Sequence, residues 1–96
     1  MTWYVCAPFH RDAAGWIAQQ EARQAFPERF NRQKDIKIIT RPEHLRGRMI
    51  DNKDRLVWVN NYRWNPARHA ARAELHAVAV SRIMRGADVQ VEEVTW

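Results

Sequence analysis

Ninety-six residues, 46% of them hydrophobic and five of them tryptophan, suffice for one buried core and leave no room for two. A single cysteine excludes an intramolecular disulfide and, alone, a cysteine-rich zinc site, which fits a reducing cytoplasm. No apolar run approaches the ~18 residues of a membrane span and no basic region precedes an apolar one at the amino terminus, so neither a membrane anchor nor a secretion signal is expected.

The chain opens on Trp3-Tyr4-Val5-Cys6-Ala7, apolar at every position, which predicts a strand buried on both faces and stopped by Pro8. Asp12 then offers a cap for a helix over 13–26, with Ala14, Ile17, Ala18, Ala22 and Ala25 as the buried stripe, Trp16 beside it and Pro27 as the stop. Residues 28–34 read as a polar, basic loop before a second strand at 36–39. Thr40-Arg41-Pro42-Glu43 fits a capping box, predicting a short helix to about residue 48 that Gly47 helps to end.

After the polar turn 51–54, Leu56-Val57-Trp58-Val59 is the second fully apolar run and the third strand. Asn65-Pro66 starts a helix over 66–85 whose expected buried stripe is Ala67, Ala70, Ala71, Leu75, Val78, Ala79 and Ile83, with Gly86 as its stop. Residues 89–94 alternate polar with apolar and carry charge, the mark of an edge strand.

Right-handed crossovers between such strands give an α/β three-layer sandwich: a four-stranded, mostly parallel sheet with helices on both faces. Placing the apolar strands in the middle gives the order 2-1-3-4, a truncated Rossmann-like or flavodoxin-like sheet, with an antiparallel last strand as the alternative. Trp3, Trp16 and Trp58 are expected to fill its two cores. In such sheets ligands bind beyond the carboxyl ends of the strands at the switch point, here between strands one and three.

That crevice would be lined by His10, Arg11 and Asp12 from one loop and Asn60, Asn61, Tyr62 and Arg63 from the other. Two arginines near two helix starts suit a phosphate or carboxylate, but no glycine-rich phosphate loop occurs and Asp12 opposes an anion. For catalysis, His10 oriented by Asp12 is the one arrangement that suits a general base, while Cys6 reads as a small buried hydrophobe. His69 and His76, two helical turns or ~10 Å apart, are too distant to share a metal. No cofactor, metal or catalytic residue is expected.

The net charge of +5 is unevenly placed. Arg23, Arg29, Arg32, Lys34, Lys37, Arg41, Arg46 and Arg48 face only Glu28, Asp35 and Glu43 in the same segment, whereas the stretch from Gly86 onward has acids and no base. With Phe26 and Phe30 interleaved, the basic segment suits nucleic-acid phosphates and stacked bases. A different surface is suggested by Tyr62, Trp64 and Trp96, aromatics at loop or chain ends beside Arg63, Arg68 and Arg72, the usual anchors of a protein interface.

The opening strand with Pro8 after it, the segment Pro42-Glu43-His44-Leu45-Arg46-Gly47, and Asp54-Arg55-Leu56-Val57-Trp58-Val59 leading into a polar, tryptophan-containing loop carry a resemblance at the level of pattern. The chain resembles small bacteriophage-encoded accessory proteins with a Rossmann-like fold that lacks the phosphate loop. The resemblance implies a non-enzymatic protein of the host cytoplasm that binds and redirects a host protein. A nucleic-acid- or nucleotide-binding module using residues 23–48 or the crevice is the alternative, and a monomer or a homodimer is expected in either case.

Overall fold

The computed structural model describes residues 1–27 and 30–96. Four strands, β1 (Trp3–Cys6), β2 (Ile36–Ile39), β3 (Arg55–Asn60) and β4 (Gln90–Thr95), form one parallel sheet in the order β2-β1-β3-β4. Polarity thus identified the edges correctly, and the last strand is parallel to β3.

Because successive strand residues point to opposite faces, each strand feeds two cores. Trp3, Val5, Ile36, Val57 and Val59 pack on one face against Ala13, Trp16 and Ile17 of helix α1 (His10–Ala22). Tyr4, Cys6, Ile39, Leu56 and Trp58 pack on the other against Leu75 and Ala79 of helix α3 (His69–Ser81), joined by Leu45, Ile50 and Trp64 from the connections. Each large side chain so buried contributes roughly 1.5–3 kcal/mol, and Trp3, Trp16 and Trp58 are the bulky fillers expected.

Three expectations for the first helix are corrected. Helix α1 begins at His10 with Phe9 as an extended N-cap, so Asp12 lies inside its first turn instead of capping it. Its buried side is Asp12, Ala13, Trp16 and Ile17, and Ala18, Ala22 and Ala25 are exposed. The helix stops at Ala22, well before Pro27, in a Schellman closure: Gln24 takes a left-handed conformation with φ of 54°, Gln24 N–H donates to Glu21 O (3.0 Å), and Ala25 N–H to Gln20 O (3.0 Å). Beyond it Phe26 stacks on Phe30 (centroids 4.7 Å apart), with both rings edge-on to Trp3.

The loop expected before β2 contains a short helix, α2 (Arg32–Asp35), whose cap Asn31 accepts from Gln33 N–H and Lys34 N–H. The capping box at Thr40 does not form. Arg41 is the N-cap of a 3₁₀ turn, Pro42–Leu45, and Thr40 N–H donates to His44 Nδ1 (3.1 Å).

Helix α3 is preceded by a 3₁₀ turn, Pro66–Arg68, and Asn65 makes no side-chain cap. It ends at Ser81, short of Arg85, because Ile50 bridges the chain just beyond it: Ile50 N–H donates to Arg82 O and Met84 N–H to Ile50 O, both at 2.8 Å. Its inward positions begin with Arg68 and Arg72 and continue with Leu75 and Ala79, so Ala67, Ala70 and Ala71 are exposed where a buried stripe was expected. Among the described residues no helix is long and apolar enough to cross a membrane.

Candidate interaction site

The loops that follow β1 and β3 meet at the carboxyl end of the sheet, where the order of strands places the switch point. The chain closes that crevice with its own arginines. Asp12, 2% exposed, is reached from the β3 loop by Arg63, whose Nη1 lies 2.7 Å from Asp12 Oδ1. Arg63 is aimed by Asn61, whose Oδ1 accepts the Arg63 backbone N–H at 2.8 Å. Arg68 donates from Nη2 to the carbonyl of Pro8 (3.0 Å), and Arg72 to Asn60 Oδ1 (3.1 Å) and Glu93 Oε1 (3.3 Å). These bonds tie both helices and β4 to the rim of the crevice.

The same guanidinium groups lie over aromatic rings. Phe9 is flanked by Arg68 at 4.4 Å and Arg11 at 5.6 Å from its centroid, Tyr62 by Arg63 at 4.8 Å, and Trp58 by Arg72 at 5.3 Å. Phe9 and Tyr62 face solvent, Tyr62 with 78% of its surface exposed. The rim therefore presents two aromatic rings whose positions are held by cations, each such contact contributing roughly 0.5–1 kcal/mol when exposed. Buried at the seam beneath them, Asp12 Oδ2, Asn61 Nδ2 and Arg68 Nε have no protein hydrogen-bond partner among the described residues.

Trp64 is corrected. It is 7% exposed, joins the α3-side core and donates from Nε1 to Val59 O (3.1 Å), so it supports the rim from below and cannot serve as an exposed anchor. Trp96 is 41% exposed and seated. Its backbone N–H donates to Asn60 O (3.0 Å) and its ring lies on α1 at Gly15, where an added Cβ would come within 2.9 Å of the ring. Phe9 is the rim residue that the sequence reading missed. Its neighbour Pro8 marked a loop, but only the approach of Arg68 from 59 residues further along makes the exposed ring part of a cluster.

The anion crevice and the dyad do not assemble as expected. Arg63 occupies Asp12, and His10 instead lines a groove of about 580 Å³ beside β2, with Arg32, Lys37 and His44. A second groove of about 380 Å³ lies under Asn60 and Asn61 against Trp64, His69 and Arg72. Cys6 is wholly buried, and burial pushes its thiol up to about 12, which removes it as a nucleophile at neutral pH. His76 packs against Trp58 with centroids 5.6 Å apart. Among the described residues no group of three or more His, Cys, Asp or Glu side chains could hold a metal.

The basic segment flanks β2 in the chain. Arg23, Arg32, Lys34, Arg41 and Arg46 are exposed, Lys37 and Arg48 half-buried, and Arg29 lies outside the described residues. Arg32 is 3.0 Å from Glu21. Burial raises the Tyr4 hydroxyl, helped by the charge of Asp54 and opposed by the guanidinium of Arg48. Phe26 and Phe30, offered as stacking platforms for bases, are instead packed on each other and on Trp3.

Comparison with protein-family models, with curated proteins and with solved structures finds no match, so the fold and the rim are read from this chain's own residues.

Proposed function

We propose that this is a non-enzymatic binding protein whose rim at the carboxyl ends of β1 and β3 docks a protein surface. The observation that carries the reading is the pairing of exposed rings with held guanidinium groups: Phe9 between Arg11 and Arg68, and Tyr62 under Arg63. Rigid aromatics beside arginine are the side chains that dominate interface energies, because they bury much area for little lost side-chain freedom. Three arginines on this rim suit a partner surface with acidic residues around an apolar centre. The sequence resemblance supplies the setting, a phage-encoded accessory protein acting in the host cytoplasm on a host protein.

Nucleic-acid binding through the β2 side is the second reading, favoured by the exposed Arg32, Lys34 and Arg41 and weakened by the loss of Phe26 and Phe30 as platforms. Capture from a nuclease-treated bacterial lysate separates the two. One protein retained by the wild-type chain and lost with both Phe9→Ala and Tyr62→Ala supports the rim. Retention unaffected by either substitution, or recovery of nucleic acid alone before nuclease treatment, overturns it.

A further inference from the structure

Among the described residues neither edge strand has a backbone partner on its outer side, and the two edges carry opposite net charge. Backbone groups alternate in direction along a strand, so a single inter-strand bond sets the phase of the whole strand. Ala7 N–H donates to Ile39 O (3.0 Å), which turns Lys37 and Ile39 toward β1 and leaves the N–H and C=O groups of Ile36 and Ile38 facing outward. The open edge ends at Thr40, whose outward N–H is taken by His44 Nδ1. At the far side, Trp96 N–H donates to Asn60 O, which turns Val94 and Glu92 toward β3 and leaves Val91, Glu93 and Thr95 facing outward.

Side-chain faces follow the same alternation. Ile39 packs in the α3-side core, so Lys37 shares that face of the sheet, and Glu93 lies on it too because Arg72 of α3 reaches it. Around β2 stand Arg32, Lys34, Lys37 and Arg41 against Asp35 and Glu43, a net positive edge, whereas β4 and its approach carry Asp88, Glu92 and Glu93 and no base. Like edges repel, since β2 against β2 opposes lysines and β4 against β4 opposes glutamates. Unlike edges match in charge and in hydrogen-bond phase.

We propose that the β4 edge of one copy adds to the β2 edge of the next as a parallel continuation of the sheet. In the register that sets Glu93 beside Lys37, Glu93 N–H meets Ile36 O and Ile38 N–H meets Glu93 O, with both charged side chains on the α3 face. The contact is heterologous: a joined pair of copies still has one free edge of each sign, so association extends head to tail and does not stop at a symmetric dimer.

Sedimentation velocity of the full chain over a range of concentrations tests this at low salt and at about 0.5 M salt, where charge attraction is screened beyond ~5 Å. The wild-type protein should form species larger than a dimer as concentration rises, with association at least about tenfold weaker at the higher salt. Lys37→Glu and Glu93→Lys should each sediment as monomers, and an equimolar mixture of the two should associate again. Restoration by mixing cannot come from misfolding. A wild-type monomer at every concentration, a closed dimer, variants that associate like the wild type, or a mixture that stays monomeric each overturns the proposal. So does binding of an unrelated acidic peptide by a wild-type chain that does not self-associate, which assigns the β2 edge to another partner.

Discussion

Asp12 shows how one carboxylate changes meaning between a sequence and a fold. Read locally it is a helix cap; in three dimensions it is the buried end of an ion pair that Arg63 reaches across 51 residues. Removing one member of a buried pair strands the other without solvent, so Arg63→Ala should lower stability by about 3 kcal/mol. The double variant Asp12→Ala/Arg63→Ala should recover part of that loss in denaturant titrations, and additivity of the two single changes would contradict the pairing. Cys6 makes a second prediction, on pH. Its thiol ionises near 9.0 when exposed and only near 12 in the fold, so between those values the unfolded chain has released a proton that the native one retains. Stability should therefore be insensitive to this group below about pH 9 and fall above it, with a limiting slope of ~1.4 kcal/mol per pH unit, and Tyr4 acts in the same direction. Cys6→Ala should flatten the alkaline limb of the stability profile, and an unchanged limb would show that this thiol is not the titrating group.

At the scale of elements, strands were more legible than helices. A strand buried on both faces announces itself as an unbroken apolar run, and β1, β2 and β3 lie within a residue of where the sequence puts them. Helix faces were misread for a physical reason: an arginine whose stem and guanidinium plane cover an aromatic ring can occupy an inward position, as Arg68 and Arg72 do over Trp64 and Trp58. Alanine, counted as apolar, then lies outside. The end of α1 was hidden because its closure uses Gln24, not glycine, in the left-handed conformation. Gln24→Gly should relieve that strain and raise stability by about 0.5–1 kcal/mol, read as a shift in the denaturant midpoint. No gain would mean that Gln24 side-chain contacts offset the backbone cost.

Over the whole molecule, the sheet order and the location of the rim were legible, because strand polarity sorts centre from edge and the order fixes the switch point. The filling of that point was not, since nothing local marks Arg63, Arg68 and Arg72 as the side chains that close it. Closure converts a ligand crevice into a surface, and the surface is aromatic and cationic together. Those two qualities separate in salt. Phosphate contacts release counterions, so a complex resting on several of them weakens steeply as salt rises, whereas apolar burial does not. The deciding measurement is the dissociation constant of the captured complex from about 0.05 to 0.5 M salt, with a single-stranded oligonucleotide titrated in parallel. The rim account predicts a protein complex whose log-log slope is no steeper than about −2 and that weakens at least about tenfold in Tyr62→Ala. A slope of about −4 or steeper, matched by the oligonucleotide and unmoved by Tyr62→Ala, would contradict it and give the function to the basic side at β2.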